Sequence, residues 1–150
     1  MTSNSKGQLF IYFFRLSSYF NKNKFLKIIG FPIRIFYKFT FQWFLGIDIP
    51  DNTKIGKGFN VFHGQGLIIN GNTIIGDNVM VRQNTTIGNA KPGGGCPIIE
   101  NNVQVGANCV IIGDVTIGEH SVIGAGSVVI KDVEKYSLVA GNPAKFIKYL

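Results

Sequence analysis

The chain has 150 residues, 19 of them Gly and 13 Phe, and a formal charge of +7 at neutral pH; the length fits one domain and argues against a two-domain enzyme. Its two cysteines, Cys96 and Cys109, form no CxxC pair, which excludes a zinc or disulfide framework and points to a reducing, cytoplasmic setting. No uncharged apolar run approaches the roughly 18 residues of a membrane span, and no clean apolar core with a cleavage site reads as a secretion signal.

Residues 1–47 carry seven Lys or Arg, no Asp or Glu, and 14 of the 19 aromatics, whereas residues 48–150 hold eight basic and eight acidic side chains. The first segment therefore accounts for the whole net charge. Phe10 to Phe20 and Lys24 to Phe44 read as amphipathic helices, separated near Asn21 to Asn23 and bent or broken at Pro32. Two readings of this segment stay open. Its aromatic stripes can cap the end of the following domain, or they can lie in the plane of an anionic membrane surface with Lys and Arg on the headgroups, at the inner face of the membrane. Nucleic acid is not an expected partner, because no recognition motif is present and aromatics at helical spacing make no stacking platform.

Beyond Asp48 the period changes to six. Ile99, Val105, Ile111, Ile117, Ile123 and Val129 recur at that interval, each followed four positions later by a small or β-branched residue (Val103, Cys109, Val115, Ser121, Ser127, Val133). An earlier block repeats the pattern at Ile69, Ile75, Val81 and Ile87, with Thr73, Val79 and Thr85. Six fits neither an α-helix nor a simple alternating strand; it fits short strands joined by tight turns, three to a triangular coil. The expected fold is an all-β core, a parallel β-helix over 48–136, preceded by the helical segment 1–47 and followed by a tail, 137–150.

Two interruptions of the register are expected to carry function. The interval from Ile55 to Ile69 is two residues longer than two repeats, with the excess around Val61-Phe62-His63-Gly64-Gln65-Gly66. The stretch Asn89 to Ile98, with Lys91-Pro92-Gly93-Gly94-Gly95, reads as a protruding loop. Of the two histidines, His120 falls on a regular turn and reads as structural, while His63 sits among glycines that let a substrate approach its ring. Cys109 occupies an inward position and reads as core; Cys96 is the only alternative nucleophile, and no second histidine is placed to activate it.

The runs Gly46-Ile47-Asp48-Ile49-Pro50, Ile55-Gly56-Lys57-Gly58, His63-Gly64-Gln65-Gly66, Gln83-Asn84-Thr85-Thr86-Ile87-Gly88, Ile123-Gly124-Ala125-Gly126-Ser127 and Ala140-Gly141-Asn142-Pro143-Ala144-Lys145 resemble the hexapeptide-repeat acyltransferases. The resemblance is to their serine acetyltransferase branch and especially its polysaccharide-modifying relatives. It implies a left-handed β-helix, an expected homotrimer, acetyl-CoA as co-substrate, and transfer to a hydroxyl with no metal. It also implies a catalytic pair in which His63 is the general base and Asp48 fixes its tautomer, in the manner of a triad without its serine. Acetyl-CoA would lie between two subunits along small residues, here Gly88, Ala107 and Ala125, with Asn142, Pro143 and Lys145 near its nucleotide end and Lys145 or Lys148 at a phosphate. The acceptor would meet Phe62, Gln65, Gln83 and Cys96.

One departure bears on the acceptor. The serine branch has an acidic residue just before the histidine and an Arg-His-Pro in the following loop; this chain has Phe62 and Gly95-Cys96-Pro97. Without those partners for an amino acid, a sugar hydroxyl of a surface polysaccharide or its lipid-linked precursor becomes the expected acceptor, with serine as its rival. A metal-dependent hydratase on the same fold would need about three metal-binding histidines against two present. A non-catalytic trimeric scaffold would leave Asp48 and His63 without purpose.

Overall fold

A computed structural model describes residues 5–150. Three helices lead: α1 (Ser5–Phe20), α2 (Lys24–Ile29) and α3 (Phe31–Tyr37), the last running on into a π-helical stretch, Lys38–Phe44. Asn23 starts α2 by accepting the Leu26 N–H on its side-chain oxygen at 2.9 Å, an N-cap. The expected break at Pro32 lies instead at Gly30, which ends α2 and caps α3. Pro32 opens the new helix, where a missing N–H costs nothing. Gly30 has no room for a side chain, because a Cβ there would stand 2.2 Å from the Phe20 ring.

The chain then winds into a parallel β-solenoid with three faces. Face A stacks Ile47–Asp48, Leu67–Ile69, Thr86–Gly88, Val110–Ile112 and Val128–Val129 in chain order. Face B stacks Lys54–Ile55, Ile74–Ile75, Ile98–Ile99 and Thr116–Ile117. Face C stacks Asn60–Phe62, Met80–Arg82, Gln104–Val105, Val122–Ile123 and Ser137–Ala140. The last strand, Lys145–Tyr149, folds back antiparallel on Ser137–Ala140, so solenoid strands run through Ala140.

All the aliphatics and small residues of the six-residue pattern are buried, Val115 and Val133 being the most exposed at 7% each. Each enclosed Val or Ile contributes about 1.5–3 kcal/mol by leaving water. The registers locate both interruptions. A regular coil is 18 residues, as in Ile98 opposite Thr116 and Val110 opposite Val128. Asn60 faces Met80, a coil of 20 residues, and Met80 faces Gln104, a coil of 24 residues. The two extra residues lie in the 61–66 region and the six extra in the loop before Ile98.

The helices close the first coil. Phe10, Phe14, Tyr37 and Phe41 are at most 1% exposed and share one core with Ile47, Ile49 and Phe59. Polar groups fix the join. The Tyr37 hydroxyl donates to the Ile49 carbonyl at 2.6 Å, and the Arg15 guanidinium donates to the carbonyls of Ile55 and Gly56, backbone acceptors at an end with no coil above. Burial, with Asp51 and Asp48 nearby, pushes the Tyr37 phenol well above its usual pKa. Asp51, 3% exposed, is held from both sides. Its Oδ2 accepts from Ser17 Oγ and Arg34 Nε, each at 2.8 Å, and its Oδ1 accepts from Asn21 Nδ2 at 3.0 Å.

Candidate active site

Asp48 ends the first strand of face A with its side chain exposed, and Gln42 Nε2 donates to its Oδ1 at 3.2 Å. Gln42 belongs to the π-helical stretch, an element that often marks functional positions. One coil later the chain turns from face C back to face A through His63-Gly64-Gln65-Gly66. His63, Gly64 and Gly66 all have positive φ, at 67°, 73° and 66°, a left-handed conformation that glycine adopts freely and histidine more readily than most other side chains. The two extra residues of this coil make that turn, so His63 stands at its tip, exposed.

Asp48 and His63 come from neighbouring levels of the solenoid. The Gly66 N–H donates to the Gly46 carbonyl at 2.9 Å, and Asp48 sits opposite Ile68. Gly64 is wedged between the levels: a Cβ on it would lie 2.8 Å from Ile47 Cδ1 and 3.0 Å from Val61 Cγ1. Gly64→Ala is therefore expected to destabilise the fold by about 1–3 kcal/mol through overpacking on top of its φ strain, and to lower activity by displacing His63. Denaturation midpoints measured beside turnover check this; an unchanged midpoint would contradict the packing described.

The corner that holds His63 is stacked coil upon coil. Asn84 N–H donates to the Gln65 carbonyl at 2.8 Å, Asn108 N–H to Gln83 at 3.1 Å, and Gly126 N–H to Ala107 at 2.8 Å. Gly141 and Asn142 follow at the next level, where the Gly141 carbonyl accepts from Val128 N–H at 2.9 Å. Gln65, Gln83, Ala107, Ala125 and the start of Asn142-Pro143-Ala144-Lys145 thus form one column beginning at His63. The small side chains of Ala107 and Ala125 leave its middle open. The buried Oε1 of Gln83 has no hydrogen-bond partner among the described residues. Phe62 lies just before the histidine, half-buried, with the Arg82 guanidinium 5.6 Å from its ring centre.

Two candidates stand apart. Gly88 is buried at the other end of face A, and Cys96 lies in the adjoining loop, so within one chain neither shares the His63 column. Cys109 is core, as read from the repeat: its thiol donates to the Gly124 carbonyl at 3.2 Å, and burial raises its pKa. His120 stacks on Tyr136 at 4.9 Å and contacts Asn102 at 3.3 Å, a turn ornament of the corner between faces B and C. Among the described residues no three His, Cys, Asp or Glu side chains gather as a metal site requires.

Sequence reasoning missed Gln42 as the partner of Asp48 and the whole Asp51 cluster. Gln42 lies six residues before Asp48 in a helix whose π register cannot be read from composition, and Asp51 carries no motif.

A parallel solenoid of six-residue repeats, with a histidine on an irregular corner, defines the scaffold of a hexapeptide transferase. The family model for bacterial transferase hexapeptide repeats matches residues 96–131. The chain is 37% identical over 115 residues to the putative colanic acid biosynthesis acetyltransferase WcaB of Escherichia coli K12, covering 76% of this chain and 71% of WcaB. It is 40% identical over 107 residues to serine acetyltransferase 4 of Arabidopsis thaliana, covering 70% of this chain but 30% of that enzyme. The crystal structure of serine acetyltransferase from Brucella abortus in complex with coenzyme A superposes with a TM-score of 0.82 at 30% identity, over 97% of this chain and 57% of that one. The chain belongs to the hexapeptide-repeat acetyltransferases and is an acyltransferase of that family. It spans little more than half the length of the solved serine acetyltransferase.

Proposed function

We propose that the protein transfers acetyl from acetyl-CoA to a sugar hydroxyl in surface polysaccharide biosynthesis, with His63 as general base and Asp48 as its orienting carboxylate. The observation that carries this reading is the juxtaposition of the His63 corner with the Asp48 strand of the neighbouring level, at the head of the column that runs through Ala107 and Ala125. The relative matched over the larger share of its own length is named for colanic acid biosynthesis, and a solved relative is in complex with coenzyme A. The rival acceptor, serine, rests on the serine acetyltransferases among the relatives.

The chemistry follows from the groups present. A sugar hydroxyl is too weak an acid to attack a thioester at neutral pH, so a base must take its proton as the new C–O bond forms. Imidazole titrates in that range. Asp48, itself held by Gln42, stabilises the imidazolium, which then returns the proton to the departing thiolate as the C–S bond breaks. Gln83 offers its unpartnered oxygen to an amide N–H of the pantetheine arm, and Lys145 reaches the phosphates.

A homotrimer completes the site in this reading. Ile68, Ile74 and Ile98 are 41–46% exposed on the outer sides of faces A and B, apolar ground for a second copy. A partner's loop would then bring Cys96 and Gly88 to the His63 column from which they are separated in one chain. The enzyme works on the cytoplasmic side, peripheral to the membrane where a lipid-linked glycan presents its hydroxyl; no helix of the described residues is long and apolar enough to cross a bilayer.

A transfer assay with acetyl-CoA against sugars, lipid-linked glycans and serine tests the proposal. Free serine at millimolar concentration is expected to react roughly 100-fold more slowly than the best sugar acceptor, since Phe62 and Cys96 offer an amino acid neither of its charged partners. Efficient formation of O-acetylserine would overturn the choice of acceptor.

A further inference from the structure

The N-terminal helical layer is apolar on both sides, and only one side is used by the fold. Tyr37 and Phe41 point into the core, whereas Phe31, Ile35, Phe39 and Trp43, spaced by four along α3 and the π-helical stretch, point out. Neighbouring α2 buries no residue at all. Trp43 is 84% exposed, Ile28 77% and Phe25 71%. A helix that merely capped the solenoid would turn a polar side to water. Large apolar side chains exposed in this number on neighbouring helices mark a partner.

The charge around it identifies that partner. Lys22, Lys24, Lys27 and Lys38 are exposed on the same layer, residues 1–47 contain no acidic side chain, and among the described residues none of these lysines forms an ion pair. The adjacent Asp51 is buried and already neutralised by Arg34, with Nε and Oδ2 2.8 Å apart. A second copy docked through the same face by a two-fold axis would set lysine against lysine. Anionic headgroups compensate every one of them, while Phe and Trp rings enter the headgroup boundary and lysine stems lie along it.

We infer that this outer side, formed by α2, α3 and the π-helical stretch, binds the surface of an anionic lipid bilayer in plane. The inference deepens the peripheral placement proposed above and stands apart from the choice of acceptor and base. It also sets the catalytic corner close to the lipid, because Gln42, which holds Asp48, is the residue before Trp43.

The test uses the full chain with vesicles of phosphatidylglycerol and phosphatidylcholine, or of phosphatidylcholine alone, read by sedimentation and by the emission of Trp43, the sole tryptophan. Binding to the anionic vesicles at low salt with a blue shift of Trp43 is expected, weakening as salt screens the charges. Replacing Lys24 and Lys27 together by Gln is expected to lower partitioning roughly 30-fold, and Phe25→Ser, at a site with no core contact, lowers it with an unchanged melting temperature. His63→Ala binds as the parent does, so a failed acetyl-transfer assay with intact vesicle binding would strike the acceptor reading alone. Absence of binding to anionic vesicles at low salt would overturn the inference. So would a blue-shifted Trp43 without vesicles in an assembly that Phe25→Ser dissociates, which would assign the face to a second copy.

Discussion

His63→Ala is expected to leave the fold intact and to lower acetyl transfer by roughly 100-fold or more, the scale of losing a positioned general base. The side chain is exposed at the tip of the two-residue excess, with positive φ, and carries none of the core. Alanine in that conformation adds modest strain and no cavity, so thermal melting should move little while turnover collapses. Asp48→Asn should act in the same direction without changing the Michaelis constant for acetyl-CoA, because it disturbs the imidazole and not the column of small residues. Near-normal turnover of purified His63→Ala would remove the histidine from the chemistry.

The second large effect is structural. Asp51→Ala is expected to cost about 3–5 kcal/mol, because it leaves the Arg34 guanidinium, 19% exposed, without its counter-ion and strips Ser17 and Asn21 of their acceptor. The cluster ties α1, α3 and the Asn21 turn to the first coil just beyond Asp48, so the loss should appear as early unfolding of the helical layer. Adding Arg34→Met should recover part of the stability, since a pair removed together leaves no buried unpaired charge. A loss below about 1 kcal/mol in chemical denaturation would show that water replaces the pair at little cost, as at an exposed salt bridge.

The solenoid was legible because its inward aliphatics state the period directly, and both interruptions were legible as departures from that period. What the period hides is the corner. Every six residues the chain reaches an equivalent turn, and which of three corners a residue occupies depends on the extra residues accumulated before it. Gly88 and Gly106 each directly follow an inward aliphatic, yet Gly88 ends a strand of face A while Gly106, with Ala107 after it, follows a strand of face C. The Asp51 cluster was invisible because it joins residues 17 to 34 positions apart with no pattern between them. Basic and aromatic composition left cap and membrane anchor as alternatives for residues 1–47; burial divides the segment by side, with Phe10, Phe14, Tyr37 and Phe41 facing in and Phe25, Phe39 and Trp43 facing out.

The pairing of His63 with Asp48 is tested most directly by a double-mutant cycle on turnover with acetyl-CoA and the best acceptor of the panel. If the aspartate acts through the histidine, adding Asp48→Asn to His63→Ala should cause almost no further loss, because two residues that act as a unit are lost together. Multiplicative losses, each substitution keeping its full effect in the presence of the other, would contradict the catalytic pair.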